Sequence, residues 1–599
     1  MNDNTTQPPN LVVDANPPSG RFPWLRLVAA FGLTTALVYP IGRTVVVGLL
    51  VGIPEREYLV ATILGVLVLA GLTWNLAPRI ASPRARRGVD LAVTLLWIVL
   101  GLALLWVSAS DLFGFGVAGP LFLVSTIAIV RLGWVTYDFA NWRRRLTWVV
   151  CLLPFAGLFP LLIKVVGLTG GAKVQFDWRF ATRIDPGSQL AVPVHDGGDP
   201  GFALEIVPRP EEDFPQYLGT DRNGVVPNVK ISDDWTNQPP REIWRHDVGA
   251  GWSGFAVVGG YCFTQEQRGD KECVVCYALA DGAEQWVLAD VARFESDMGG
   301  IGPRATPTFD NDLLFTVGGT GLLNCIRPDT GSRLWRVDIL QDNQGGPISH
   351  GVCGSPLIDG ERVIVSPTGM QIGCLAAYER ATGERLWQGG KHSASYGSPA
   401  LLELAGVSQV VITTSDGIEA VSPETGESLW EFPWTNEVHV NCSQPIVVDA
   451  QQGRVLMCNG YNGGSVLLEV HPDGSGYWKV TPVWTSRGVL KTKFTTALIH
   501  DGFAYGLDDG IFACMDLATG KQRWKGGRYK HGQALLAGGL IVIQAEDPGD
   551  IVLVRPNSKR LEELGRIPAL ATTTWNNPAI AGRRLLVRNN REAVCFELH

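Results

Sequence analysis

The chain has 599 residues, 46% of them hydrophobic, with 50 Lys and Arg against 58 Asp and Glu. That is too long for one ordinary domain and too apolar for a purely water-borne one, so part of it is expected to sit in lipid. A net charge of -8, with no basic run outside short loops beside the apolar stretches, excludes nucleic acid as a partner.

In chain order, residues 1–22 form an expected cytoplasmic tail, without the short apolar core of a cleavable signal peptide. Apolar stretches follow at roughly 24–52, 58–77, 89–109, 116–132 and 146–168, most of them near the ~20 residues that a bilayer core requires. They predict an all-α transmembrane bundle of five helices over residues 23–169, the first containing Pro40 and Arg43. Arg79, Arg84, Arg86 and Arg87 follow the second span and Arg143, Arg144 and Arg145 the fourth, whereas Glu55, Arg56, Glu57 and Asp111 mark the other loops. Because Lys and Arg stay on the cytoplasmic side, the N-terminus is expected in the cytoplasm and everything after about residue 170 outside it. The localisation expected is thus a bacterial inner membrane with its bulk in the periplasm. The spans lack paired intramembrane charges beyond Arg43 and Lys164, which argues against a transporter.

Residues 170–240, rich in Pro, Gly and Asp, read as an extracytoplasmic linker or small cap with extended pieces such as KVQFDWRF. From there a motif recurs: Thr-Gly or Asp-Gly with Trp four residues after the Gly. Copies are ALADGAEQW, RPDTGSRLW, ERATGERLW, SPETGESLW and DLATGKQRW, ending at Trp286, Trp335, Trp387, Trp430 and Trp524, with a weaker copy at Trp484. Their steps of 49, 52, 43, 54 and 40 residues suit the ~40–45 residues of a four-stranded propeller blade. The Gly makes a tight turn between third and fourth strands, and each Trp is expected to dock between blades, burying about 200 Å². First strands fall near 254, 305, 354, 398, 443, 495, 533 and 577, predicting an all-β propeller of eight blades over residues 241–599. The last unit lacks its closing strand. REIWRHDV, with Trp244, is expected to pair beside the C-terminal strand and close the ring.

These TGxxxW repeats resemble the pyrroloquinoline-quinone-like (PQQ-like) propeller superfamily over nearly all of residues 242–599. The resemblance implies one of two roles. Some members are protein-binding scaffolds without cofactor, such as the propeller lipoprotein of outer-membrane assembly. Others are quinoprotein dehydrogenases, and the membrane-bound glucose dehydrogenase has a similar plan of five spans and a propeller. Such an enzyme needs an aromatic floor for the quinone, a cation at its carbonyls, oxygen ligands for Ca²⁺ and an acidic base. About 358 residues for eight blades leave little loop for a cofactor chamber.

Glu266, Gln267, Arg268 and Arg304 are the polar candidates for the ring's axis, weighed against a plain role in turns and surface. Asp508 and Asp509 have no third carboxylate nearby to complete a metal site. Gly249, Gly251 and Gly254 match GxGxxG, but a strand follows where phosphate binding needs a helix. Cys273 and Cys276 form a CxxC whose members face opposite sides of a strand. Of 11 cysteines, Cys151 alone lies in a span; Cys276, Cys325 and Cys514 stand where other repeats have Ala377 and Ala420, which marks them as small buried strand residues. The expectation is therefore a membrane-tethered binding or scaffold module for envelope proteins or polymers, with lipid as its other partner, no catalysis and no cofactor. The alternative is a PQQ-dependent dehydrogenase, with Ca²⁺, passing electrons to ubiquinone.

Overall fold

The protein is described by a computed structural model over the backbone of 163–168 and 174–178, and over 187–192 and 203–599 without 297–298 and 370–372. The tail and nearly all of the five expected spans lie outside these residues. Among the described residues no helix is long and apolar enough to cross a membrane. One boundary needs correction: Ile163–Leu168, read as the end of the fifth span, pairs as an antiparallel strand with Val174–Trp178. The β-branched run of Ile163, Val165 and Val166 favours extended backbone, and the KVQFDWRF piece supplies its partner.

Eight sheets span 256–290, 308–338, 357–389, 400–433, 446–486, 498–528, 533–570 and 579–597, seven with four consecutive antiparallel strands and the last with three. These are blades 1 to 8 of a β-propeller. Blade 8 takes its fourth strand from Arg241–Asp247, which pairs antiparallel with Glu592–Glu597 and sets Trp244 opposite Cys595. Closure by the first strand after the linker removes the open edge that a seam would leave.

One register irregularity recurs in all eight blades, a bulge between third and fourth strands at the residue facing the Trp position. Opposite the tryptophans stand Cys276, Cys325, Ala377, Ala420, Cys514 and Cys595, with Leu467 the one larger residue. Small side chains there leave room for the indole, and all ten described cysteines are free thiols.

The tryptophans join blades in a specific way. Trp286 Nε1 donates to Pro328 O of the next blade at 2.8 Å, Trp335 to Arg380 O at 2.9 Å, Trp387 to Pro423 O at 3.1 Å, and Trp484 to Leu517 O at 2.8 Å. Trp244 and Trp524 do the same toward Leu279 O and Asn557 O. Trp430 turns inward instead, to Gln409 Oε1 at 2.6 Å. Except at Asn557, where blade 7 has no glycine, each carbonyl lies just ahead of the next blade's Gly turn, and that Gly lies flat against the incoming indole. A Cβ on Gly383 would meet Trp335 at 2.7 Å, and one on Gly426 would meet Trp387 at 2.5 Å. The motif Gly thus serves two ends, a left-handed turn (φ +76° and +72° at these two) and the absence of a side chain under its neighbour's Trp.

Blade 7 has no Trp of its own. Gly565 occupies that register position, opposite Leu553. Trp235, 4% exposed, fills the gap from outside the repeat, within 2.5 Å of where a Gly565 Cβ would stand.

Residues 203–240 form a cap. Val207 closes on the Gly259 turn of blade 1, Phe214 bridges Val257, and Pro215 O accepts from Phe309 N of blade 2 at 2.8 Å. Arg222 reaches Ser355 O and Pro356 O of blade 3, and Val225–Val226 pairs parallel with the first strand of blade 7. Because first strands line the axis, a segment that touches the first strands of blades 1, 2 and 7 and the approach to that of blade 3 occupies the central channel at one end. Phe214, Leu218, Val229 and Trp235 share one core with blades 7, 8 and 1.

Three substitutions test this interlock. Gly426→Ala should lower stability by about 2–4 kcal/mol, combining φ strain with overpacking. Gly406→Ala, at φ +77° with nothing within 4 Å, should lose only about 1–2 kcal/mol. Trp235→Ala should cost about 3–5 kcal/mol, as a repeat Trp would. Urea midpoints at unchanged m value report all three.

Candidate functional site

Aligning the eight first strands brings one position into register just before each of them. Trp252, Arg304, Cys353 and Tyr396 hold it in blades 1 to 4, and Cys442, Phe494, His531 and Trp575 in blades 5 to 8. Seven of the eight are half-buried, while the residue after each is fully buried. This is the pattern of a rim around an axial funnel. Below it runs a hydrogen-bonded belt. Gly254 N donates to Thr306 Oγ1 at 3.2 Å, Thr306 N to Ser355 Oγ at 2.9 Å, and Ser355 N to Ser398 Oγ at 3.0 Å; Gln444 N likewise donates to Thr496 Oγ1 at 3.1 Å. Each hydroxyl satisfies a backbone donor of the preceding blade, which is why Ser and Thr recur there.

One side of the rim is an aromatic wall. Trp252 and Trp575 lie 4.6 Å apart, and Phe494 meets Trp575 edge-on at 5.6 Å. Their polar atoms are engaged, Trp252 Nε1 with Gly299 O at 2.6 Å and Trp575 Nε1 with Glu546 Oε1 at 2.9 Å, so the rings are held rigidly and only their faces remain. Beside them Lys493 Nζ lies 3.4 Å from His531 Nε2 and 5.1 Å from the Tyr461 ring centroid. The floor comes from the cap. Tyr217 is hydrogen-bonded to Thr496, with Arg222 5.8 Å from its ring centroid.

Electrostatics follow burial. Burial first, then the neighbouring Arg304, lowers the His350 pKa to about 4, and burial with Lys493 lowers His531 to about 4. Both imidazoles are neutral at pH 7. Burial brings Arg304 down to about 10 and lifts the Cys353 thiol to about 11 against the pull of Arg304. Burial likewise raises the Glu272 carboxyl, which accepts Gly319 N at 2.8 Å and the Thr320 hydroxyl at 2.7 Å.

The polar residues singled out from the sequence fall in different places. Glu266 and Arg268 do not face the axis, and that expectation is corrected. They lie on the second strand of blade 1 against blade 8, joined at 3.0 Å. Tyr277 OH donates to Glu266 at 2.7 Å, and Arg268 also binds Glu284 at 2.8 Å and Ala191 O at 2.8 Å. Only first strands line the channel; side chains on second strands face the neighbouring blade. Gln267 faces blade 2, bonded to Ala292 O at 2.9 Å. Arg304 does hold a rim position, but its guanidinium is tied to the carbonyls of Gly299, Gly300 and Gly302 and stacked 4.4 Å from Phe294. Asp508 is buried against Lys525 at 3.0 Å, and Asp509 pairs with Lys491. Gly249, Gly251 and Gly254 lead into the strand Ala256–Val258, so no helix terminus is there for phosphate. Cys273 and Cys276 enter different cores on the two faces of their sheet.

A calcium-bound quinone does not fit these residues. Among the described residues no three His, Cys, Asp or Glu side chains gather to hold a metal ion. Three carboxylates, Glu272 on the third strand of blade 1 and Glu546 and Asp509 on separate loops, are engaged by backbone N–H, Trp575 and Lys491. Sequence inspection missed seven of the eight rim residues. The signal was positional, a place four residues ahead of seven first strands and two ahead of the other, with no common residue type to show it.

Residues 270–526 match the family model described as outer membrane protein assembly factor BamB. Among curated proteins the chain is similar to outer membrane protein assembly factor BamB of Burkholderia pseudomallei, 22% identical over 233 residues, 37% of this chain and 54% of that protein. The match thus spans about half the length of that relative. Among solved structures, a europium-containing methanol dehydrogenase is similar with a TM-score of 0.50 at 12% identity, covering 65% of this chain and 98% of that one. BamB from Moraxella catarrhalis gives 0.42 at 16% identity, covering 60% and 100%. The repeat is PQQ-like and the fold is that of an eight-bladed propeller.

The neutral histidines predict the pH response. A His whose native pKa lies below its unfolded value of about 6.5 contributes stability above that value and loses it as pH falls toward the native pKa, here about 4. Unfolding free energy should therefore fall between pH 6.5 and pH 4, by on the order of 1–3 kcal/mol per histidine. His531→Gln should flatten that slope in urea titrations at successive pH values.

Proposed function

We propose that the chain is a membrane-anchored, extracytoplasmic binding or scaffold module of the bacterial cell envelope, without catalysis, presenting the rim face of its propeller to envelope proteins or polymers. The observation that carries this reading is the occupied channel. The cap enters one end and places Tyr217 and Arg222 under the rim, so the eight loops enclose a bowl floored by the cap. The cations and carboxylates that a redox site would use are engaged in structure at Arg304, Glu272 and Glu546. What remains is a rigid surface of half-buried aromatic faces, the composition of a protein-recognition patch. The family description of an assembly factor agrees with this role, and the alternation of loop charges in the first 169 residues supports the anchor.

The quinoprotein reading draws its support from the aromatic wall at Trp252, Trp575 and Phe494. Calorimetric titration of the purified full-length chain with pyrroloquinoline quinone separates the two. The scaffold reading expects no saturable heat that depends on Ca²⁺. One-site binding that requires Ca²⁺ would overturn it and direct attention to alcohols and sugars as substrates.

A further inference from the structure

Four arginines are buried among the described residues: Arg222, Arg268, Arg380 and Arg588. Arg268 is paired with Glu266 and Glu284, and Arg380 with Asp310 at 2.6 Å. Arg588 donates from all three nitrogens, to Asn589 O, Thr264 Oγ1, Gln265 O and Gly249 O.

Arg222 is the exception. Its Nη1 donates to Gln216 Oε1 at 2.9 Å and Pro356 O at 2.8 Å, and its Nη2 to Ser355 O at 3.1 Å. Its Nε, also buried, has no partner. Among the described residues no carboxylate lies within ion-pair distance of it. A guanidinium out of water without a counter-charge is a costly arrangement, and this one is held in place. Its backbone is left-handed at φ 52°, a conformation a side-chain-bearing residue keeps only where its surroundings enforce it. The two carbonyls that grip it belong to blade 3, two and three residues below the rim residue Cys353. At the rise of an extended chain, that sets the group roughly 7–10 Å under the rim. The opposite mouth is closed by the cap, so the approach is from the rim.

We propose that Arg222 is an oxyanion receptor on the floor of the axial bowl, taking a carboxylate or phosphate group at its buried, unpartnered Nε edge. The side-on edge of a guanidinium, Nε with Nη2, matches the two oxygens of such a group. The depth suits an anion carried on a narrow stem, as at the end of an extended peptide, and a small free anion shares the same chemistry. The aromatic wall would line the path of the stem. This receptor stands whether or not the scaffold reading does, because it concerns an anion and neither calcium nor redox chemistry.

The test is thermal unfolding of the purified full-length chain at constant ionic strength, with sodium phosphate or sodium acetate replacing chloride. Binding to the native state raises the wild-type Tm by a few degrees in both anions. Arg222→Met, which keeps the length and loses the charge, rises in neither. Should that variant fail to fold, Arg222→Lys serves, since it keeps the charge without the side-on edge and should lose at least tenfold in affinity. Calorimetry with trialanine and trialanine amide then separates the sources. A free acid that binds at least tenfold tighter than the amide assigns a chain end, and a phosphate response with neither peptide binding assigns a small free oxyanion. Equal Tm shifts in wild type and Arg222→Met, or none in the wild type, overturn the proposal.

Discussion

The structure depends on one contact repeated around a circle, an indole from one blade laid on the turn glycine of the next. A four-stranded sheet of this size cannot cover its own faces, so a blade is stable only against neighbours. The Trp supplies both parts of the bond. Its ring buries about 200 Å², and its N–H satisfies a carbonyl that the tight turn would leave exposed. The bulge opposite every Trp position and the small Cys or Ala beneath it exist to admit that ring. Glycine, bulge and small residue form one device, and their spacing sets the period.

Where the device is incomplete, the chain compensates locally. Blade 5 lacks the Thr-Gly turn, and Trp430 of the preceding blade bonds within its own sheet. Blade 7 lacks the Trp, and Trp235 arrives from the cap. The seam between blades 8 and 1 carries the buried network of Glu266, Arg268 and Tyr277, capped by the exposed Glu284, with Arg588 bonded to Gly249 across it. These polar residues reinforce the point where the two ends of the ring meet, which explains charge placed so deep in a domain otherwise packed with Val, Leu and Ile.

The ring itself was legible because its determinants are local. Turn glycines and tryptophans at fixed spacing located eight first strands, and an orphan Trp244 strand beside an unfinished last unit announced the closure. The role of Cys276, Cys325 and Cys514 followed from the same alignment. Glu266 and Arg268 were misplaced for a physical reason: alternation along a strand separates two faces but does not tell a neighbouring blade from the axis. The second duty of the motif glycine, and the part played by Trp235, depend on contacts between segments far apart in sequence. The cap was least legible, since a two-residue strand in an aperiodic, Pro-rich stretch carries no pattern. Arg222 could be recognised only once its partners, and the one it lacks, were in view.

Closure through the strand 241–247 also sets an order of events during biosynthesis. That strand and the cap leave the ribosome before any complete blade, yet Arg241 must wait for Glu597, 356 residues later. Pairing of such high sequence separation is slow to form. Meanwhile Trp244, Trp235 and the Val225–Val226 edge have nothing to pack against. The nascent propeller therefore passes through a stage in which its earliest segment is its most exposed, with an unpaired edge open to misassociation. Completion of the last six-residue strand converts that liability into the seam that holds the circle shut.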